Sequence, residues 1–126
     1  MFCYQCEQAA KGTGCTKIGV CGKQPEVADL QDLAAYAMRG LALVCKKARE
    51  TGNRSEAADE YIPATLFSTL TNVNFDPDDF VSMVHETVRL RDELKARVEN
   101  TGHELNLSEG PATWTPAVDF DGIISQ

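Results

Sequence analysis

The N-terminal segment decides how the rest of this chain is arranged, and residues 1–24 read MFCYQCEQAAKGTGCTKIGVCGKQ. Four of the five cysteines lie in it with the spacing C-x2-C-x8-C-x5-C. Four glycines stand beside or between them, and glycine lets the backbone adopt positive φ and approach a ligand closely. The pattern therefore predicts a loop that wraps around an inorganic centre, with these candidate ligands: Cys3, Cys6, Cys15 and Cys21.

The spacing of the cysteines leaves several kinds of site open. Structural zinc usually takes its four thiolates from two short knuckles, and only Cys3 and Cys6 form one. Iron–sulfur clusters accept more varied ligand spacings. A redox dithiol at Cys3 and Cys6 would leave the other two cysteines without a role. Spacing alone thus favours an iron–sulfur cluster, with zinc as the second choice.

Composition and charge narrow the class of protein. The 126 residues are enough for one domain, and 43% of them are apolar. The chain has a net charge of −7, of which residues 25–126 carry −9, because the first 24 residues carry three lysines against one glutamate and are therefore +2. An acidic body argues against nucleic acid as a partner, whereas the lysines near the cysteines would offset thiolate charge.

The N-terminus and hydropathy suggest a cellular location. There is no apolar run of about 18 residues and no secretory signal pattern, so we expect no membrane segment and a cytoplasmic protein. Thiols stay reduced in that compartment, which disfavours disulfides.

The first helix is predicted to begin near Pro25 and Glu26, with Gly52 as its C-cap. Gly40 lies within it and indicates a close helix crossing. Cys45 is expected to be a small buried hydrophobe rather than a ligand. The apolar seam repeats at alternating steps of three and four residues: Val27, Leu30, Ala34, Ala37, Leu41, Val44 and Ala48.

Two more helices are predicted before residue 103. The second follows residues 53–55, where Asn53 and Ser55 are both candidate N-caps, and is expected to be one helix, kinked at Pro63, that ends near residues 71–72. The third begins after Asp76, which can cap it, and ends at Gly102. The connections are short, so successive helices should be antiparallel.

The last segment, residues 103–126, has prolines and glycines without a helical period and is predicted to be extended, with Trp114 covering a core edge. The chain is thus predicted to be all-α. It should form a three-helix antiparallel bundle (25–102) with an N-terminal cysteine-rich cluster-binding loop (1–24) and an extended C-terminal tail (103–126), together one domain.

The same residues resemble the N-terminal part of the hybrid cluster protein, or hydroxylamine reductase, family. The cysteine motif of residues 1–23 carries most of the resemblance. It continues through DLQDL from Asp29, RGL from Arg39, LFSTLTN from Leu66 and ATWT from Ala112. The resemblance therefore extends over essentially the whole chain.

The resemblance implies a specific cofactor and role. It implies that Cys3, Cys6, Cys15 and Cys21 hold a 4Fe–4S cluster near the surface. A class of the family with wider spacing holds a 2Fe–2S cluster, which is the alternative, and zinc ranks below both. The cluster would relay electrons to a buried iron–sulfur–oxygen hybrid cluster, where hydroxylamine is reduced to ammonia or nitric oxide to nitrous oxide.

Family members are several times longer, and their hybrid-cluster ligands lie in later domains. We therefore expect a chain that transfers electrons without hydroxylamine reductase turnover of its own, whether it is an expressed fragment, a split subunit or a natural miniature. The expected partners are a redox donor or acceptor protein, and either a second copy in a homodimer or a chain carrying the rest of the enzyme. The competing hypothesis is a zinc-stabilised helical binding domain.

Overall fold

Three long helices make up most of the structure. The computed structural model describes residues 1–4, 6, 9–71, 76–103, 105, 107 and 110–116, apart from the side chains of residues 68–71. Three helices, α1 (Pro25–Glu50), α2 (Glu56–Thr71) and α3 (Pro77–Asn100), are followed by a short helix, α4 (Gly110–Thr113). The prediction of an all-α protein is confirmed. No described helix is both long and apolar enough to cross a membrane.

Local capping chemistry sets the helix ends. Ser55 Oγ accepts a hydrogen bond from the Ala58 N–H at the start of α2. Asp76 Oδ1 accepts one from the Asp78 N–H at the start of α3. Both side chains occupy the position before the helix, where they satisfy N–H groups that have no partner within it. The observed bounds agree with the predicted ones. Asn72, the outer limit predicted for α2, lies outside the described residues.

The main packing contact joins α1 to α3, which run in the same direction. Their first halves share one apolar cluster and their second halves share another. The first cluster contains Val27, Leu30, Ala34, Phe80 and Val84. The second contains Leu41, Val44, Cys45, Ala48, Ala58, Leu90, Leu94, Val98 and Leu105.

Helix α2 reverses the chain between these two parallel helices. Near the end of α3, Arg97 Nη1 donates to the carbonyl of Arg54, just before α2 begins. Further along α2, Tyr61 Oη donates to the carbonyl of Met83, in the first half of α3. Successive helices are therefore antiparallel, as their short connections predict.

The tail differs from the extended segment expected, because α4 forms a helical turn that packs on α1. A Cβ at Gly40 would overlap the carbonyl of Pro111, so only glycine permits this approach. The close crossing indicated by Gly40 is observed, and the element that crosses α1 there is the short helix α4. Trp114 packs against the first cluster and meets Tyr36 edge-on with ring centroids 5.7 Å apart, which confirms its predicted place at a core edge.

Two cations of α3 bind the backbone of the tail. The buried Arg91 donates from Nη1 to the carbonyls of Pro111 and Trp114, at 3.1 and 2.6 Å. Lys95 Nζ donates to the carbonyl of Ala112 at 2.7 Å. These bonds hold α4 against α1 and α3. The remaining predicted tail, residues 117–126, lies outside the described residues.

Candidate metal centre

Two backbone hydrogen bonds join Cys3 to Cys15. The Cys3 N–H donates to the Cys15 carbonyl at 2.9 Å, and the Cys15 N–H donates to the Cys3 carbonyl at 2.8 Å. The two residues form an isolated antiparallel bridge. Directly opposed residues of such a pair project their side chains to the same side. The bridge therefore gathers two of the four predicted ligands.

A single 3₁₀ turn, Ala10–Gly12, directs an N–H group at the sulfur of Cys15. Lys11 lies in it with a φ of 57°, and the Ala10 N–H donates to Cys15 Sγ at 3.4 Å. Hydrogen bonds from the backbone of Ala10 and Val20, with the nearby Lys23 ammonium, lower the pKa of the Cys15 thiol despite its burial. A lowered pKa favours the thiolate, which is the form that binds metal.

A tight turn at Gly19–Gly22 presents Cys21. The Gly22 N–H donates to the Gly19 carbonyl at 2.8 Å, and the Gly19 N–H donates to the Lys23 carbonyl at 2.8 Å. A Cβ at Gly19 would lie 3.1 Å from Cys21 Sγ and 2.9 Å from Lys23 Cβ. Glycine is therefore needed for the backbone to pass this close to the thiol.

Lys23 is buried against the loop, with only 1% of its surface exposed. Its ammonium donates to Cys3 Sγ at 3.6 Å and to Gln31 Oε1 at 2.5 Å. Of the three lysines predicted to offset thiolate charge, Lys11 and Lys17 are exposed. Among these three lysines, Lys23 is the one whose described hydrogen bonds include a cysteine sulfur.

The structure places the four predicted ligands in one loop with different exposures. Cys15 is buried, Cys3 is half-buried, and Cys6 and Cys21 are exposed. Within the described ranges, no three histidine, cysteine or acidic side chains converge as they would around a single metal ion. The donor set fits an iron–sulfur cluster, because such clusters are held by Cys thiolates and tuned by hydrogen bonds to sulfur. Both kinds of group are present here.

Cys45 is separate from this loop. It lies on α1 within the second apolar cluster, and burial raises the pKa of its thiol. Its burial in that cluster confirms the prediction of a small buried hydrophobe. The two histidines, His85 on α3 and the exposed His103, lie outside the loop.

Comparison with known proteins identifies the family. The model of the Prismane/CO dehydrogenase family matches residues 1–116. The chain belongs to this family. The resemblance to the N-terminal part of hydroxylamine reductases is thereby confirmed at the level of the family.

Several Prismane-family relatives match the whole chain, and each is named hydroxylamine reductase. The protein of Syntrophobacter fumaroxidans is 52% identical over 126 residues, which is 100% of this chain and 23% of the relative. That of Solidesulfovibrio magneticus is 51% identical over 127 residues, and that of Methanocella arvoryzae is 48% identical over 126 residues, with the same shares covered. The chain therefore spans about a quarter of the length of these relatives.

Gln31 of α1 borders the cysteine loop of this Prismane-family chain, but it was not among the site residues predicted from the sequence. With Asp32 and Arg39 of α1, it lines a groove of about 450 Å³ that also borders Cys3. Burial raises the pKa of the Asp32 carboxyl, and the neighbouring Asp29 adds to the shift. The sequence did contain a signal for this residue, because Gln31 is a polar residue four positions after Val27 and so lies on the predicted apolar seam. The structure shows that it is buried, with 4% of its surface exposed.

Proposed function

We propose that this chain is an iron–sulfur electron-transfer module, in which Cys3, Cys6, Cys15 and Cys21 bind a 4Fe–4S cluster. The observation that carries the proposal is the environment of two sulfurs. Cys15 Sγ accepts a backbone N–H, and Cys3 Sγ accepts the Lys23 ammonium. Both contacts stabilise negative charge on sulfur, as a thiolate-bound cluster requires. A 2Fe–2S cluster is the alternative.

The bound cluster would supply one-electron transfer, and the chain's own residues would hold it at the surface. Cys6 and Cys21 are exposed, so a redox protein can come close to the centre. Four large apolar side chains of the described part of the same loop are also exposed: Phe2 by 50%, Tyr4 by 72%, Ile18 by 51% and Val20 by 65%. Aromatic and aliphatic groups of this kind suit a transient docking surface.

The direction of electron flow is proposed from the relatives. They are named hydroxylamine reductases, and this chain corresponds to about their first quarter. We propose that its cluster passes electrons from a donor protein toward a hybrid cluster bound by later domains of such enzymes. On this proposal, the 126 residues alone do not turn over hydroxylamine.

Reconstitution under anaerobic conditions with iron and sulfide tests the proposal. The wild-type chain should gain a broad visible absorbance that bleaches with dithionite, about four iron and four sulfide per chain, and an EPR signal when reduced. Cys15→Ala should lose all three, because it removes one of the four proposed thiolate ligands. Cys45→Ala is the matched control and should keep the spectrum of the wild type.

Other outcomes decide against the proposal. A colourless protein that holds one zinc per chain would replace it with the zinc-stabilised binding domain. Retention of the full iron and sulfide content by Cys15→Ala would remove Cys15 from the ligand set. Half the iron and sulfide, with the same dependence on Cys15, would indicate the 2Fe–2S alternative.

A further inference from the structure

Lys23 and Gln31 form a buried polar pair next to Cys3. Lys23 is 1% exposed and Gln31 is 4% exposed. The lysine Nζ lies 2.5 Å from Gln31 Oε1 and 3.6 Å from Cys3 Sγ. Burying an ammonium group is unfavourable unless nearby groups stabilise its charge. The sulfur of a cluster bound at Cys3 would provide that stabilisation, because Lys23 Nζ already donates to Cys3 Sγ.

The pair also fixes the orientation of the Gln31 amide. An ammonium group only donates hydrogen bonds, so Gln31 must turn Oε1 toward Lys23 and Nε2 away from it. Nε2 is buried and has no hydrogen-bond partner in the described part of the chain. Gln31 borders the same groove as Cys3. A buried donor that lacks a partner is costly, and it therefore points to an acceptor that binds in this groove.

We propose that Lys23 and Gln31 are positioning residues that raise the reduction potential of the cluster bound at Cys3. Lys23 supplies a buried positive charge beside a ligand sulfur. Gln31 holds that charge in place and offers an amide donor to the same centre. This inference rests on the iron–sulfur function proposed above.

The direction of the effect follows from charge. Reduction adds one electron to the centre, so the reduced form carries one more negative charge than the oxidised form. A nearby cation stabilises the reduced form more strongly, and the effect is larger in a buried, low-dielectric site than in water. The exposed Lys17 carries the same charge in the same loop, but solvent and salt screen it.

Redox titration of the reconstituted full chain, followed by absorbance and EPR, tests the inference. In Lys23→Met, the ratio of oxidised to reduced cluster at the wild-type midpoint should rise at least tenfold, a shift of about 59 mV to lower potential. Lys17→Met is the matched control and should change that ratio less than twofold. Lys23→Arg retains the charge and should recover most of the wild-type potential.

Gln31→Glu provides a second, independent variant. It is nearly isosteric and can still accept from Lys23, but it adds a negative charge, so its potential should also fall. If Lys23→Met binds no cluster, a fall in Gln31→Glu supports the inference and an unchanged potential overturns it. Equal potentials in Lys23→Met and Lys17→Met, with intact EPR signals, also overturn it. A wild-type chain without any cluster signal instead refutes the proposed function.

Discussion

At the scale of single residues, Asp59 ties the end of one helix to the start of the next. Its Oδ1 accepts from Arg49 Nη2 at 2.6 Å, and its Oδ2 accepts from Arg54 Nε at 2.6 Å. The hydrogen bond from Arg54 is the main cause that lowers the pKa of the Asp59 carboxyl; burial opposes it, and the hydrogen bond from Arg49 adds to the lowering. A carboxyl whose pKa is lower in the folded protein than in the unfolded protein stabilises the fold when it is ionised. This stabilisation is fully present above the unfolded pKa of about 3.9, and it is lost as the pH falls through the lower pKa of the folded protein.

Asp59→Asn should therefore lower the melting temperature at neutral pH, and the difference from wild type should shrink as pH falls below about 4. Thermal unfolding followed by circular dichroism at several pH values measures this. Both proteins have the same other ionisable groups, so the difference between them isolates Asp59. Glu60→Gln on the same helix is the control, and a difference that is constant with pH would contradict the prediction.

At the scale of helices, α4 depends on the absence of a side chain at Gly40. In Gly40→Ala, the higher helix propensity of alanine should raise the free energy of unfolding by up to about 1 kcal/mol. The overlap of the new Cβ with the carbonyl of Pro111 should lower the free energy of unfolding by about 1–3 kcal/mol. We expect overlap to dominate, because α4 is also held by the buried Arg91 and cannot shift freely. The expected result is a net loss of about 1 kcal/mol in the free energy of unfolding.

Chemical denaturation measures this loss, and the fluorescence of the single tryptophan, Trp114, reports whether α4 moves. Ala42→Gly is the control, since Ala42 is exposed on the same helix. It should destabilise by about 1 kcal/mol through propensity and leave the emission of Trp114 unchanged. A Gly40→Ala protein as stable as wild type, with unchanged emission, would show that α4 does not pack this tightly.

Helix boundaries were predictable because capping is local. Pro25, Asp76 and the seam from Val27 each act within a few residues of themselves. Arg91 was not predictable in the same way, because a basic residue late in a helix also suits the helix dipole. Besides Asp92, its acceptors are carbonyls 20 and 23 residues further along the chain. Likewise, the sequence marks three lysines near the cysteines, but only the packing of the loop on α1 buries Lys23.

At the scale of the whole molecule, α1 is the element on which the other described helices and the cysteine loop pack. The cysteine loop contacts its first half through the Lys23–Gln31 pair, α4 crosses it at Gly40, and α3 follows its length. Helix α2 covers less of this core, and it leaves Leu66 43% exposed and Phe67 65% exposed. We propose that this face is covered by a second copy of the chain or by a chain carrying the rest of the enzyme.

The expectation for the isolated chain is a dimer, because two adjacent exposed apolar side chains favour burial against a second copy. Phe67→Asp should shift sedimentation toward monomer at the same concentration. Ala57→Asp adds the same charge at an exposed site earlier on α2 and should leave the association unchanged. A wild-type chain that sediments as a monomer even when concentrated would contradict the dimer and leave the partner chain as the candidate.

The bridge between Cys3 and Cys15 has a consequence for how a cluster would be assembled. Its two hydrogen bonds already hold two donor residues opposite each other. These two residues therefore do not have to become ordered when the cofactor binds. They would act as a preformed bidentate chelate. Cys6 and Cys21, both exposed, would then close around the centre. We expect incorporation in two stages, with early capture by the bridged pair and slower completion by the two outer thiols.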